Sequence, residues 1–177
     1  MGRPAGPYKL MNSLLKVFID ICLLRAPPQQ LPASRFLLGL VLLVHWVLGV
    51  LFSMLDEPLT ESLLTAMIGT LLPLAVVYGL LTAHRLQQRL YQTATALVGS
   101  EVVLGLLALP LNLWFVFAEG DRTVPALLSF SLVGWGVVVA THVFHNALNV
   151  GRGLALVFAF SYTVLSITLL SLMAPGG

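Results

Sequence analysis

Apolar residues run almost unbroken through five stretches of this chain, approximately 36–55, 62–83, 93–118, 124–147 and 153–173. Each stretch holds about 20–26 residues, enough to cross a ~30 Å hydrocarbon core at a helical rise of 1.5 Å per residue. None of them alternates apolar with polar positions as a barrel strand would, so their backbone groups can be satisfied in lipid only as helices. The connections are short: Asp56 to Glu61, His84 to Gln92, Glu119 to Thr123 and Asn149 to Arg152. Short connections force neighbouring helices to run antiparallel. The pattern therefore predicts an all-α, polytopic fold, with a five-helix transmembrane bundle over residues 36–177.

The first 35 residues follow a different pattern. Polar Lys9, Asn12, Ser13, Lys16 and Asp20 recur at helical spacing, with Met11, Leu14, Leu15, Phe18 and Cys22 on the opposing face. This predicts an amphipathic helix over about 9–25, lying in the membrane interface with Lys9 and Lys16 near the headgroups. A docking helix for a cytoplasmic partner is the alternative reading. The following Arg25-Ala26-Pro27-Pro28 ends the helix, because consecutive prolines remove amide donors and disfavour helical continuation.

Composition closes off other classes. Hydrophobic residues make up 58% of the 177 and charged ones 9%, against about 25% charged in soluble domains. A soluble enzyme, a disordered tail and a nucleic-acid-binding module are excluded on that ground. A lone cysteine, Cys22, leaves no intrachain disulfide, and its thiol is expected to face lipid or a neighbouring helix. Lys16 and Asp20 interrupt the N-terminal apolar stretch, which does not read as a cleavable signal peptide. Translation from Met1 and from Met11 are both compatible with the pattern.

Position gives the few charges their meaning. With the N-terminus inside, the cytoplasmic parts collect Arg3, Lys9, Lys16, Arg25, Arg35, Arg85, Arg89 and Arg152, while Arg122 alone stands opposite with Asp56, Glu57, Glu61, Glu119 and Asp121. That bias is the positive-inside rule. It predicts a cytoplasmic N-terminus, a periplasmic C-terminus, and headgroup contacts from Lys9, Lys16, Arg25, Arg35, Arg85 and Arg89.

One ionisable side chain of the acidic or basic kind falls deep within a span, Glu101, with His45 at a matching depth and His142 shallower. Intramembrane ionisable residues are costly and mark a function or a specific pairing. Glu101 with His45 or His142 would form a proton relay or ion site; the competing reading is a paired or protonated acid that fixes helix packing. Pro73 and Pro110 are expected to kink their helices, with Asn112 serving a backbone group freed at Pro110. Gly136 and Ala140, four apart, suit close helix contact. His142 and His145 read as interfacial. No zinc-protease, nucleophile-elbow, phosphate-loop or dinucleotide motif occurs, so no enzyme, cofactor or metal is expected.

Arg25-Ala26-Pro27, a third span opening Gln92-Thr93-Ala94-Thr95-Ala96 and reaching Leu109-Pro110, and Trp135 followed by Asn146-Ala147-Leu148-Asn149-Val150 resemble the bacterial branch of the Yip1 family. The resemblance implies a five-helix membrane protein with a cytoplasmic N-terminus, and it supplies no catalytic residue. The D-L-Y-G-P motif of eukaryotic members is absent, so their link to small GTPases is not carried over. The expected function is a non-enzymatic membrane-organising, accessory or interaction component of the bacterial inner membrane. Its partners would be membrane lipids and a membrane protein or second copy of the chain, with no nucleic acid. The alternative is a small channel or transporter subunit with Glu101 and His45 in a polar path.

Overall fold

The computed structural model describes residues 7–117 and 120–173, with side chains described from Leu14 onward. Six helices follow one another: α1 (Pro7–Cys22), α2 (Arg35–Ser53), α3 (Leu59–Ala83), α4 (Leu90–Phe117), α5 (Thr123–Leu148) and α6 (Arg152–Ser171). Short 3-10 turns at Pro28–Gln30 and Gln87–Arg89 precede α2 and α4, and no strand occurs among the described residues. The helices from α2 to α6 are all long and apolar enough to cross a membrane. The chain is an all-α, multi-pass membrane protein.

The spans start and stop within three residues of the apolar runs, and local chemistry explains the shifts. Ser34 caps α2, its hydroxyl accepting the Leu37 N–H at 3.3 Å. Pro58 at the N-cap lets α3 begin at Leu59, three residues before the apolar run. Asn149 ends α5 in the left-handed conformation, φ 56°.

The N-terminal helix stops earlier than its composition suggests, at Cys22 rather than Arg25. Leu24 takes φ 61°, and the Arg25 and Ala26 amides both return to the Asp20 carbonyl, at 2.7 and 3.2 Å. This cap, not the prolines, terminates the helix.

Contacts across the bundle set a common register. At one end the Arg35 guanidinium lies 5.6 Å over the Tyr91 ring, Arg89 reaches the Ala147 carbonyl at 2.9 Å, and His84 meets Phe158 edge-on. At mid-height His45, Thr70, Glu101 and Tyr162 meet. Because α2 and α6 have 19 and 20 residues, each only just covers a ~30 Å core, so their ends mark its two faces. We call these the arginine-rich and the acidic end.

α4 is the centre of the bundle, packing on α1, α2, α3 and α5. Every residue from Thr93 to Ser100 is buried, whereas none of the described residues beyond it on α4 is. α1 accounts for part of that difference. It was expected to lie in the interface, but its C-terminal end is docked at mid-height. Phe18 and Ile21 are buried, and the Cys22 sulfur lies 3.8 Å from the Ser100 carbonyl. Gly99 provides the seat, since a Cβ there would come within 2.9 Å of three Phe18 ring carbons. The Cys22 thiol thus faces a neighbouring helix rather than lipid.

Candidate intramembrane polar site

Four helices bring one polar side chain each to the middle of the bundle. His45 lies ten residues after Arg35 on α2, Glu101 eleven after Leu90 on α4, and Tyr162 ten after Arg152 on α6. At 1.5 Å per residue all three stand about 15 Å from the arginine-rich end. Thr70 joins them from α3. Tyr162 donates its hydroxyl to Glu101 Oε1 at 2.5 Å, and His45 Nδ1 lies 3.0 Å from Thr70 Oγ1.

His45 Nε2 approaches Glu101 Oε2 to 3.3 Å, but Oε2 is buried and makes no hydrogen bond. The pair is therefore a close approach without hydrogen-bond alignment. Two proton arrangements satisfy the rest of the cluster. With Glu101 ionised, Nε2–H faces Oε2 and Nδ1 accepts from Thr70; with Glu101 protonated, Nδ1–H donates to Thr70 and Nε2 faces the acid. In lipid an interhelical hydrogen bond contributes roughly 0.6 kcal/mol. The cluster ties α2, α3, α4 and α6 together without dominating their stability.

Two cavities meet at this cluster and extend from it toward the acidic end, the larger also reaching Leu97 and Ala140 on the other side. One, of about 400 Å³, opens between α4, α5 and α6 and includes Leu104, Gly105, Asn112, Ser129, Gly136 and Ile167 among its walls. The other, of about 300 Å³, sits between α2, α3 and α6, with His45, Gly49, Phe52 and Gly69. Glu101, Tyr162 and Ser166 line both, so the Glu101–Tyr162 bond divides them.

The other expected site residues go elsewhere. His142 does not join Glu101. Its Nε2–H donates to the Ala26 carbonyl at 3.0 Å, and Asn146 Nδ2 sits 3.4 Å from its other ring nitrogen. His145 sits in the last turn of α5 at the arginine-rich face, where its Nδ1–H donates to the Val150 carbonyl at 2.6 Å and closes the α5–α6 turn. Arg89 reaches the last carbonyls of α5 rather than extending toward headgroups, while Arg35 is held over Tyr91. Lys16, Arg25 and Arg85 are exposed, and the Lys9 side chain lies outside the described residues.

Pro73 is buried within a continuous α3, and Pro110 lies exposed in a continuous α4. Asn112 donates to the Ala108 carbonyl at 2.9 Å, whereas the carbonyl freed by Pro110 is that of Leu106, four residues before it. Gly136 and Ala140 do face α4: a Cβ on Gly136 would meet Leu104 at 3.7 Å, and both residues line the larger cavity.

Among the described residues no group of three His, Cys, Asp or Glu could hold a metal ion. Tyr162 and Thr70 are the members of the cluster that inspection of charged residues alone does not find. Equal depth would have found Tyr162, since it stands as far into its span as His45 does. No family model, curated protein or solved structure matches the chain.

Proposed function

We propose that this chain is a non-enzymatic, Yip1-like component of the bacterial inner membrane, with a cytoplasmic N-terminus and a periplasmic C-terminus. Its role is membrane-organising or accessory, exerted on lipids and through a membrane-protein partner or a second copy of the chain. The observation that carries this reading is the contrast around Glu101. The polar cluster joins four helices side to side, and on its arginine-rich flank α4 is buried on all faces from Thr93 to Ser100. A side chain that bridges helices above a packed plug suits a scaffold better than a conduction path.

The two cavities that reach Glu101 favour the second reading, a channel or transporter subunit. Glu101→Gln separates the two. It keeps an acceptor for Tyr162 and removes the titrating group. For a scaffold, proteoliposomes containing the variant match wild type in proton and cation flux, and purification from native membranes retains the same stoichiometric partner or self-association. A flux present in wild type and abolished by Glu101→Gln would overturn the proposal. Orientation is tested by reporter fusions after Ser34 and after Met173, which should report opposite sides.

A further inference from the structure

The larger cavity runs along α4 from Leu97 to Asn112, about 22 Å. Glu101 and Tyr162 stand near its inner end, which Leu97, Ser100 and Ala140 close, and its mouth carries Asn112 on α4 and Ser129 on α5. Eleven residues separate Glu101 from Asn112 along α4, about 16 Å, or half of a ~30 Å core. The mouth also lies at the membrane face. From the Glu101–Tyr162 contact, nine residues along α6 reach its last residue Ser171, and nine along α4 reach Pro110. A space that begins at the acidic face and ends about one helical turn past Glu101 fits an acyl chain entering from that leaflet.

The polar atoms at the mouth are arranged for a headgroup. Asn112 uses its Nδ2 on the Ala108 carbonyl, which leaves Oδ1 without a donor among the described residues. Ser129 makes no hydrogen bond among them. Three residues beyond Asn112, the Phe115 ring holds the Arg122 guanidinium at 5.6 Å, a cation at the level of a lipid phosphate. The rest of that end is acidic, with Asp56, Glu57, Glu61 and Asp121 in its loops or first turns. An acceptor amide, one arginine and surrounding carboxylates complement a phosphate followed by a protonated amine, and they repel a net anionic headgroup.

We propose that the α4–α5–α6 cavity is a binding site for one phospholipid of the acidic-end leaflet. Its acyl chain lies between Leu104, Gly136 and Ile167, and its headgroup carries a primary amine of the ethanolamine type. The walls are largely apolar, and an unfilled space there would forfeit the packing contacts of its lining. The site does not depend on the functional reading above.

The test is native mass spectrometry of the full chain extracted from vesicles of equimolar phosphatidylethanolamine, phosphatidylcholine and phosphatidylglycerol. One phosphatidylethanolamine per chain should be retained, about tenfold over phosphatidylcholine. Gly136→Leu, which fills the cavity, should abolish retention. Asn112→Leu should keep a lipid but lose the headgroup preference. Equal retention of the three lipids, preference for phosphatidylglycerol, or retention unchanged in both variants would refute the site. Should Gly136→Leu fail to fold, a phosphatidylethanolamine with a photoactivatable chain terminus decides the matter on wild type. Labelling confined to α4, α5 and α6 near Glu101 supports the site, and labelling spread over all spans, or confined to other helices or to a second copy, overturns it.

Discussion

The arginine-rich and acidic halves of this bundle are built from the same five spans, yet one is solid and the other hollow. In the first, α4 is buried through Thr93–Ser100, and α5 adds Val139, Ala140, Val143, Phe144, Ala147 and Leu148 to the core. In the second, Pro125 is the one described residue of α5 that is buried, and two cavities open around Glu101. The difference follows from backbone chemistry. The segment from Leu23 to Ser34 is mostly non-helical and lies against the bundle below the membrane face, where each free carbonyl needs a donor. Trp135 Nε1–H serves Cys22, His142 serves Ala26, and Gln92 Nε2–H serves Leu31, at 3.1, 3.0 and 2.9 Å. A region of irregular backbone has to be walled with protein. The acidic half is built from helices whose carbonyls, apart from those of Gly69 and Leu106 that Pro73 and Pro110 leave free, are satisfied within each helix, and it can stay open to lipid.

The sharpest way to break this contrast is to undock α1. Phe18→Ala empties a buried ring site, and such truncations cost about 3–5 kcal/mol. Phe130→Ala, at a ring 78% exposed on the hollow half, should stay within about 0.5 kcal/mol of wild type. Reversible unfolding in mixed micelles measures both, and equal losses would show that the two halves do not differ. Gly99→Ala should destabilise by about 1–3 kcal/mol through overlap with the Phe18 ring. Much less of that loss should remain when Phe18 is already Ala.

Next in size are the donors that satisfy the returning segment. Trp135→Phe and His142→Ala each leave a carbonyl without its partner, at an expected cost of about 1–3 kcal/mol. Hydrogen exchange should accelerate over 23–33 in both variants and stay unchanged in α3. Faster exchange throughout the protein would mean that the segment is not a separate unit. A smaller effect is expected at the seam between the halves. Tyr162→Phe removes the donor to Glu101 Oε1, and unfolding should register a loss of about 0.6 kcal/mol, the average for interhelical bonds in membranes. A loss several times larger would mark the cluster as the keystone of the bundle.

Nearly all of the spans and one contact of the polar cluster were legible as sequence, for different reasons. Continuous apolar runs have one solution in lipid, so α2 to α6 emerge to within three residues at each end. The Glu101–His45 approach was accessible because depth can be counted along two helices. The docking of α1 was not. Its polar stripe is equally suited to a headgroup layer, and nothing in the sequence shows that Gly99 will receive Phe18. His142 and Arg89 were misplaced for a related reason. Their acceptors are the carbonyls of Ala26 and Ala147, and a carbonyl is present at every position, so it leaves no trace in the side-chain pattern.

The acidic end offers the mildest perturbation, because its order rests on local contacts. Asp121 Oδ1 accepts the Thr123 N–H at 2.8 Å, a turn that starts α5. The Thr123 hydroxyl, and then its backbone N–H, hold the Asp121 carboxyl below the usual aspartate range. For an acid whose folded-state value is depressed, the stabilising contribution is complete above the unfolded value near 3.8 and is lost as pH falls through the folded one. Acidification below about pH 4 should therefore loosen the start of α5 while α1 keeps its protection. Hydrogen exchange at Val124–Leu127, compared between pH 6 and pH 3 after correction for intrinsic rates, should rise only modestly at an exposed site of this kind, and Asp121→Asn should remove most of the pH dependence. Equal acid sensitivity around Phe18 would instead place the titrating group in the packed half.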